Sequence, residues 1–265
     1  MPNAYVETTI LTDLLLKPYS HKQERAKAAL ARYDSTLLPV YSIKEWKAGP
    51  LYYFVYVHNK LVTTQSFANT LQAIAALPLG YRRSTAQEAL AAAGQQLRRQ
   101  PQNFTVLGNT DKDHADSYRL SLASIIIRSW NKRRKVTTQV VQELPCYLEA
   151  APSIGTDRLF DLSPRHCQID EECSLAVKLK SNPELLEALR DAIPANSTRR
   201  EDQKRRKALK HLIKHPDWIF TRDLCRDLGD AIYAFFCPAG AVVLTTNLRD
   251  HERLTKALGK LAEKP

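Results

Sequence analysis

Ala4-Tyr5-Val6-Glu7-Thr8-Thr9-Ile10-Leu11 decides the reading of this chain. Ala4 to Glu7 is a short apolar run that closes on an acid. After it, Ile10, Leu11, Leu14 and Leu15 recur at helical spacing. A strand therefore feeds directly into a helix, with Thr8 or Thr9 expected as its cap. The same pattern returns twice. Leu37 to Tyr41 is a second short strand, and Ser42 is placed to cap the next helix, with Glu45 three residues on in capping-box spacing. Near the far end, an apolar helix over Leu228 to Phe236 stops before Gly240. Ala241 to Thr245 then reads as a buried strand, Thr246 to Asp250 as a turn, and His251 to Leu261 as the last helix. Strands alternating with helices imply an α/β fold, a small mainly parallel sheet surrounded by helices.

Between these ends the pattern is mostly helical. Helices are expected over Gln23 to Tyr33, Gln65 to Leu77, Thr85 to Arg99 and Ala115 to Asn131, with one more short strand over Phe104 to Leu107. Residues 136–217 carry Pro145, Pro152, Pro164, Pro183, Pro194 and Pro216. Only two helices fit there, near Glu184 to Ala192 and Thr198 to Lys214. The expected organisation is a main domain from residues 1–135 and 218–265, interrupted by a basic, mostly helical module at 136–217.

Composition narrows the class. With 44% apolar residues, the 265-residue chain can bury a real core, which excludes disorder. Eight glycines exclude collagen-like repeats. No apolar run reaches the roughly 18 residues of a membrane span. The N-terminal stretch has Glu7 and Asp13 within its apolar run, unlike a secretory signal. Five cysteines without a CxxC pair add to the expectation of a cytoplasmic, reducing location. His166, Cys167 and Cys173, with Cys146, come nearest to a zinc site, but their spacing differs from the usual ligand pairs, and buried thiols are expected instead.

The 39 Lys and Arg against 28 Asp and Glu give a net charge of +11, which suits a polyanionic partner. The excess is concentrated. Arg199, Arg200, Lys204, Arg205, Arg206 and Lys207 open one dense run that extends to Lys214, and Arg128, Lys132, Arg133, Arg134 and Lys135 form another. Either run serves equally well as a solvated helix face.

The acids are placed by topology. Glu7 ends the first strand, Glu45 lies just beyond the second, and Asp250 just beyond the last. Asp230 sits on an otherwise apolar helix, where an Asp needs a partner. Crevices outside the carboxyl ends of parallel strands are the usual working sites of open sheets. Carboxylates gathered there repel by roughly 4 kcal/mol per pair at 4 Å and an effective dielectric near 20, so cations or protons must offset them. Hard divalent ions prefer such oxygen ligands. Each acid also has a plain structural role open to it: Glu45 in a capping box, Asp250 as a helix cap, Glu7 beside a helix N-terminus.

Val6-Glu7-Thr8-Thr9-Ile10-Leu11 resembles the opening of PIN-domain proteins, especially the VapC-like toxin ribonucleases. Ser42-Ile43-Lys44-Glu45-Trp46-Lys47-Ala48-Gly49, Asp230-Ala231-Ile232-Tyr233-Ala234 and Gly240 to Asp250 resemble the family's remaining motifs, in order. Phe104 to Trp130 resembles its middle strand and following helix. The resemblance implies that Glu7, Glu45, Asp230 and Asp250 hold Mg²⁺ or Mn²⁺, that Thr9 and Asn247 give polar support, and that the activity is endoribonuclease. Asp227, one helical turn before Asp230, is a further candidate. The toxin members imply an antitoxin-like partner and a homodimer. The chain departs from the family in having Glu7 where Asp is usual, in the insertion, and in showing no final strand. On this reading the two basic runs bind RNA, presented as a single-stranded or looped segment. A catalytically weakened nucleic-acid- or protein-binding module and a DNA-directed nuclease are the alternatives.

Overall fold

A computed structural model describes residues 2–104, 108–141, 150–163, 174–215, 217 and 220–265. Its centre is β1 (Asn3–Val6), whose neighbours are β2 (Thr36–Pro39) on one side and β6 (Ala241–Leu244) on the other, all parallel. β3 (Gln139–Val141) and β7 (Leu261–Glu263) close the two edges, also parallel, giving the order β3-β2-β1-β6-β7. The fold is thus α/β, a five-stranded parallel sheet surrounded by helices. A separate two-stranded antiparallel ladder joins β4 (Ser153–Ile154) to β5 (Phe160–Asp161). Among the described residues, no helix is long and apolar enough to cross a membrane.

Strand alternation divides the interior in two. Ala4, Val6, Leu38 and Leu244 point into one apolar cluster, and Tyr5, Leu37, Val243 and Ala241 into the other. The first is filled from α1 (Thr8–Leu16), α3 (Val40–Trp46), α4 (Tyr52–Thr64), α6 (Tyr81–Arg99) and α8 (Asp111–Lys132). The second is filled from α9 (Ser174–Lys180), α10 (Pro183–Asp191), α11 (Arg200–Lys214), α12 (Arg222–Leu228), α13 (Asp230–Phe236) and α14 (Leu248–Ala257). α2 (His21–Leu30), α5 (Phe67–Ala75) and the short α7 (Pro101–Phe104) complete the helices of the first half.

This arrangement changes the expected role of residues 136–217. They do not stand apart as a module. β3 is an edge strand of the main sheet, while Leu186, Leu189, Leu209 and Leu212 share a core with Tyr5 and Val243. The segment supplies much of the layer that covers the sheet's second face, because parallel strands must be covered on both sides.

Several local expectations are corrected. The chain does have a final strand, β7, too short and exposed to show a pattern. Phe104 ends a helix rather than opening a strand; residues 105–107 lie outside the described residues. Glu7, not Thr8 or Thr9, caps α1, its carboxylate accepting from the Thr9 amide. α3 begins at Val40, so Ser42 is inside the helix and donates instead to the Val6 carbonyl at 2.7 Å. The capping-box role for Glu45 falls with it. A π-helical turn, Lys47–Leu51, continues α3 into α4; it contains Pro50, which lacks the N–H an α-turn would need. The helix expected over Leu228 to Phe236 is split, since Gly229 adopts φ +39°. A Cβ there would come within 3.3 Å of the Arg226 carbonyl oxygen. The split makes Asp230 the first residue of α13.

Candidate functional site

The chain order along the sheet reverses at β1: it runs outward through β2 to β3, then returns to place β6 on the other side of β1. Crevices form at such reversals, outside the carboxyl ends of the strands. Glu7 follows β1 there, and Glu45 lies on α3, just after β2. Asp230, the first residue of α13, shares this edge with Glu7 and Glu45. Asp250, in the first turn of α14 just after β6, completes the row.

A cleft of about 1040 Å³ opens at this edge. Glu7, Glu45 and Asp230 line it, together with Thr8, Thr9 and Asn247. Its walls carry Lys17, Lys22, Arg25, Lys44, Arg82, Arg222, Arg226 and Lys264, the rings of Tyr41, Tyr53 and Tyr81, and two acids, Asp13 and Glu88, of which Asp13 pairs with Lys17 and Glu88 with both Lys17 and Lys22. Asp250 and Asp227 are not among the lining residues. Asp227 pairs with Arg226 at 3.6 Å.

Each carboxylate is held by its own partners. Glu7, 5% exposed, accepts from the Thr9 amide at 2.9 Å, from the Thr9 hydroxyl, and from the Thr245 hydroxyl at 3.1 Å. Thr9 in turn accepts from the Thr246 amide, tying the β1 and β6 loops together. Glu45 accepts from Thr8 at 3.0 Å and from Tyr233 at 2.8 Å. Asp230 has the Arg205 guanidinium 2.5 Å from Oδ2 and His251 Nε2 3.3 Å from Oδ1. Asp250 is gripped by both terminal nitrogens of Arg199 and accepts from the Asn247 side chain at 2.8 Å.

The electrostatics follow these partners. Burial pushes the Glu7 carboxyl above its ordinary value; His251 and the Thr9 hydrogen bonds oppose this, and the like charge of Glu45 adds to it. Burial also raises Glu45, with Asp230 adding to the rise while Lys44 opposes it. Burial works against ionised Asp230 as well, but His251 and Arg205 outweigh it and hold the carboxyl far below the usual range. For Asp250, burial is overcome mainly by Arg199 and Asn247, against the repulsion of Asp230. The four acids are thus electrostatic neighbours in series, Glu7 to Glu45 to Asp230 to Asp250. Burial would lower His251, yet its contact with Asp230 raises it. The Asp230 contact thus favours the charged form of the imidazole.

The donor chemistry of Glu7, Glu45 and Asp230 suits a hard divalent ion: all the donors are carboxylate oxygens, gathered at one cleft. The arrangement is nevertheless not a ready cage. Among the described residues, no three His, Cys, Asp or Glu side chains are grouped closely enough to hold an ion. Asp230 and Asp250 instead face the protein's own cations.

Of the basic residues expected to contact nucleic acid, Arg205 is therefore turned inward and the partly exposed Arg199 is engaged by Asp250, a correction with a clear cause: a largely buried Asp left unpaired would be costly. Arg206 donates to the Ile193 carbonyl at 3.2 Å. Arg200 and Lys207 are exposed and Lys204 half-buried on α11, while Lys132 and Arg134 are exposed at the end of α8. Arg133 lies over the Trp130 ring, 3.8 Å from its centroid. None of these lines the cleft. Cys146, His166, Cys167 and Cys173 lie outside the described residues; Cys225 and Cys237 are buried.

Sequence reading missed Thr8, Tyr233, Thr245 and His251. Tyr233 falls three residues after Asp230, on the same helix face, which was a usable signal. His251 contacts an acid 21 positions away and left none. No family model matches the chain, and no curated protein and no solved structure matches it.

Proposed function

We propose that this chain is a PIN-like, divalent-cation-dependent nuclease that hydrolyses phosphodiester bonds, with RNA as the first substrate to test. The observation that supports it most is one cleft with carboxylates at the strand ends and Lys and Arg along its walls. Glu7, Glu45 and Asp230 would hold Mg²⁺ or Mn²⁺, with Asp250 beside them. Such an ion supplies Lewis acidity toward the phosphate and a more acidic attacking water. The chain's own residues do the rest. Thr9 and Thr245 fix Glu7; Thr8 and Tyr233 fix Glu45. Wall cations such as Arg82 and Arg222 attract and align the polyphosphate backbone, and the exposed Tyr81 offers a ring to an unstacked base.

Cleavage of mixed RNA with Mn²⁺, by the wild type and by Glu45→Gln and Asp230→Asn, tests this reading. Activity lost in both variants and in EDTA supports it; activity equal in all, or surviving chelation, overturns it. A second reading, a non-catalytic nucleic-acid-binding module, is favoured by the occupation of Asp230 and Asp250 by arginines. Under it, RNA binds without being cut and Mn²⁺ has no effect. In either case binding should depend on the cleft wall. Arg82→Ala with Arg222→Ala is expected to lower the salt slope by about 2, while Lys204→Ala with Lys207→Ala leaves it nearly unchanged.

A further inference from the structure

α11 and Arg199, the residue that precedes it, face the acidic row with two guanidinium groups. Arg205, 5% exposed, places Nη2 2.5 Å from Asp230 Oδ2 and donates through Nε to the Leu228 carbonyl at 3.2 Å. It thereby spans the α12–α13 break at Gly229. Its remaining nitrogen, Nη1, is buried and has no hydrogen-bond partner, with Asp202 4.0 Å away. Arg199 takes both oxygens of Asp250. Asp202, 1% exposed and on the same helix, anchors the pair from behind and also binds Arg253.

A guanidinium and a divalent ion compete for the same carboxylate lone pairs. Asp230 already has Arg205 on one oxygen and His251 near the other, and Asp250 has Arg199 on both. An ion entering beside them would meet a fixed positive charge within a few ångströms. Guanidinium does not deprotonate under ordinary conditions, so this charge can be relieved only by moving it.

We propose that Arg205 and Arg199 are resident counter-cations of the acidic row, and that a divalent ion binds Asp230 and Asp250 only by displacing them. α11 then sets the cation affinity of the cleft. This rests on the reading of the cleft as a divalent-cation site, and it separates from a positioning role. An arginine that merely oriented Asp230 for the ion would, when removed, weaken ion binding. A competing arginine, when removed, strengthens it.

Mn²⁺ binding by the full chain, measured by calorimetry and by the electron paramagnetic resonance signal of free Mn²⁺, decides the matter. The variants are Arg205→Gln, Arg205→Lys, Arg199→Gln and Glu45→Gln. Arg205→Gln is expected to bind Mn²⁺ roughly tenfold more tightly than wild type, from the lost repulsion at short range. Arg205→Lys keeps the charge and stays near the wild-type affinity. Arg199→Gln gains in the same direction and, being at a partly exposed position, serves if Arg205→Gln does not fold. Weaker or equal binding in the two glutamine variants, with wild-type binding abolished in Glu45→Gln, overturns the counter-cation role and leaves the divalent site standing. No Mn²⁺ binding in any variant overturns both.

Discussion

The two halves of the acidic row solve one problem in opposite ways. Glu7 and Glu45, contributed by the first 45 residues, are held by neutral hydroxyls: Thr9 and Thr245 for one, Thr8 and Tyr233 for the other. Burial raises both. Asp230 and Asp250, from the C-terminal elements, are held by Arg205, His251 and Arg199, and both are lowered. Hydroxyl donors satisfy lone pairs without neutralising charge, so burial keeps the advantage. A guanidinium does both and reverses it. The hydroxyl-held half therefore keeps the stronger demand for an external proton or cation.

The sharpest way to break this contrast is to empty the cationic half. Arg205→Ala is expected to destabilise the fold by about 3 kcal/mol, the low end for a buried pair broken on one side, because His251 stays beside Asp230. Urea unfolding with a chelator present measures it; a loss under about 1 kcal/mol would mean that water replaces the guanidinium. On the neutral half, Tyr233→Phe removes the 2.8 Å donor to Glu45 and should cost about 2 kcal/mol, as for a hydrogen bond to a charged group. That loss should shrink when Glu45 is already Gln, and an undiminished loss would assign the effect to packing against Tyr5 and Tyr41.

The halves also predict opposite pH responses in metal-free solution. Glu7 and Glu45 are raised above the ordinary 4.5, so the folded chain takes up their protons first and stability rises as pH falls toward that value. His251 acts in the same direction: raised above 6.5, it contributes fully below that value and is lost as pH rises through its folded value. Asp230 and Asp250 are lowered below 3.8; their contribution is present above that value and lost as pH falls through their folded values. Unfolding free energy should therefore peak in mildly acidic solution. Glu7→Gln with Glu45→Gln should flatten the decline toward neutral pH and spare the acid side; a profile unchanged on the neutral side would contradict the assignment. The smallest effect is the control. Arg226 and Asp223 pair at 3.1 Å with side chains 63% and 76% exposed, and Arg226→Ala should change stability by about 0.5 kcal/mol or less.

What was legible was local. The turn from Val6 through Glu7 into α1 shows in eight consecutive residues, and the passage from Ala241 to Asp250 in ten. The cap was misread by one or two positions, because Glu7, Thr8 and Thr9 all carry acceptors and only the backbone chooses among them. β7 was hidden, since Leu261, Ala262 and Glu263 are not buried and gain strand character only from pairing with β6. The run from Arg199 to Lys214 looked like one continuous patch. The periodicity of its helix sends Arg205 inward and Lys207 outward, a distinction that charge counting does not make.

The sequence by itself determined that strands alternate with helices and that acids stand at the ends of three strands, because hydrophobic period and helix entry depend on neighbours a few residues apart. Only the tertiary structure decided the strand order, the use of residues 174–214 as the second covering layer, and the counter-ion each acid receives. Arg205 meets Asp230 across 25 positions and Arg199 meets Asp250 across 51. Such pairings are chosen by desolvation and Coulomb energy at a few ångströms, and those distances exist only once the sheet is covered on both faces.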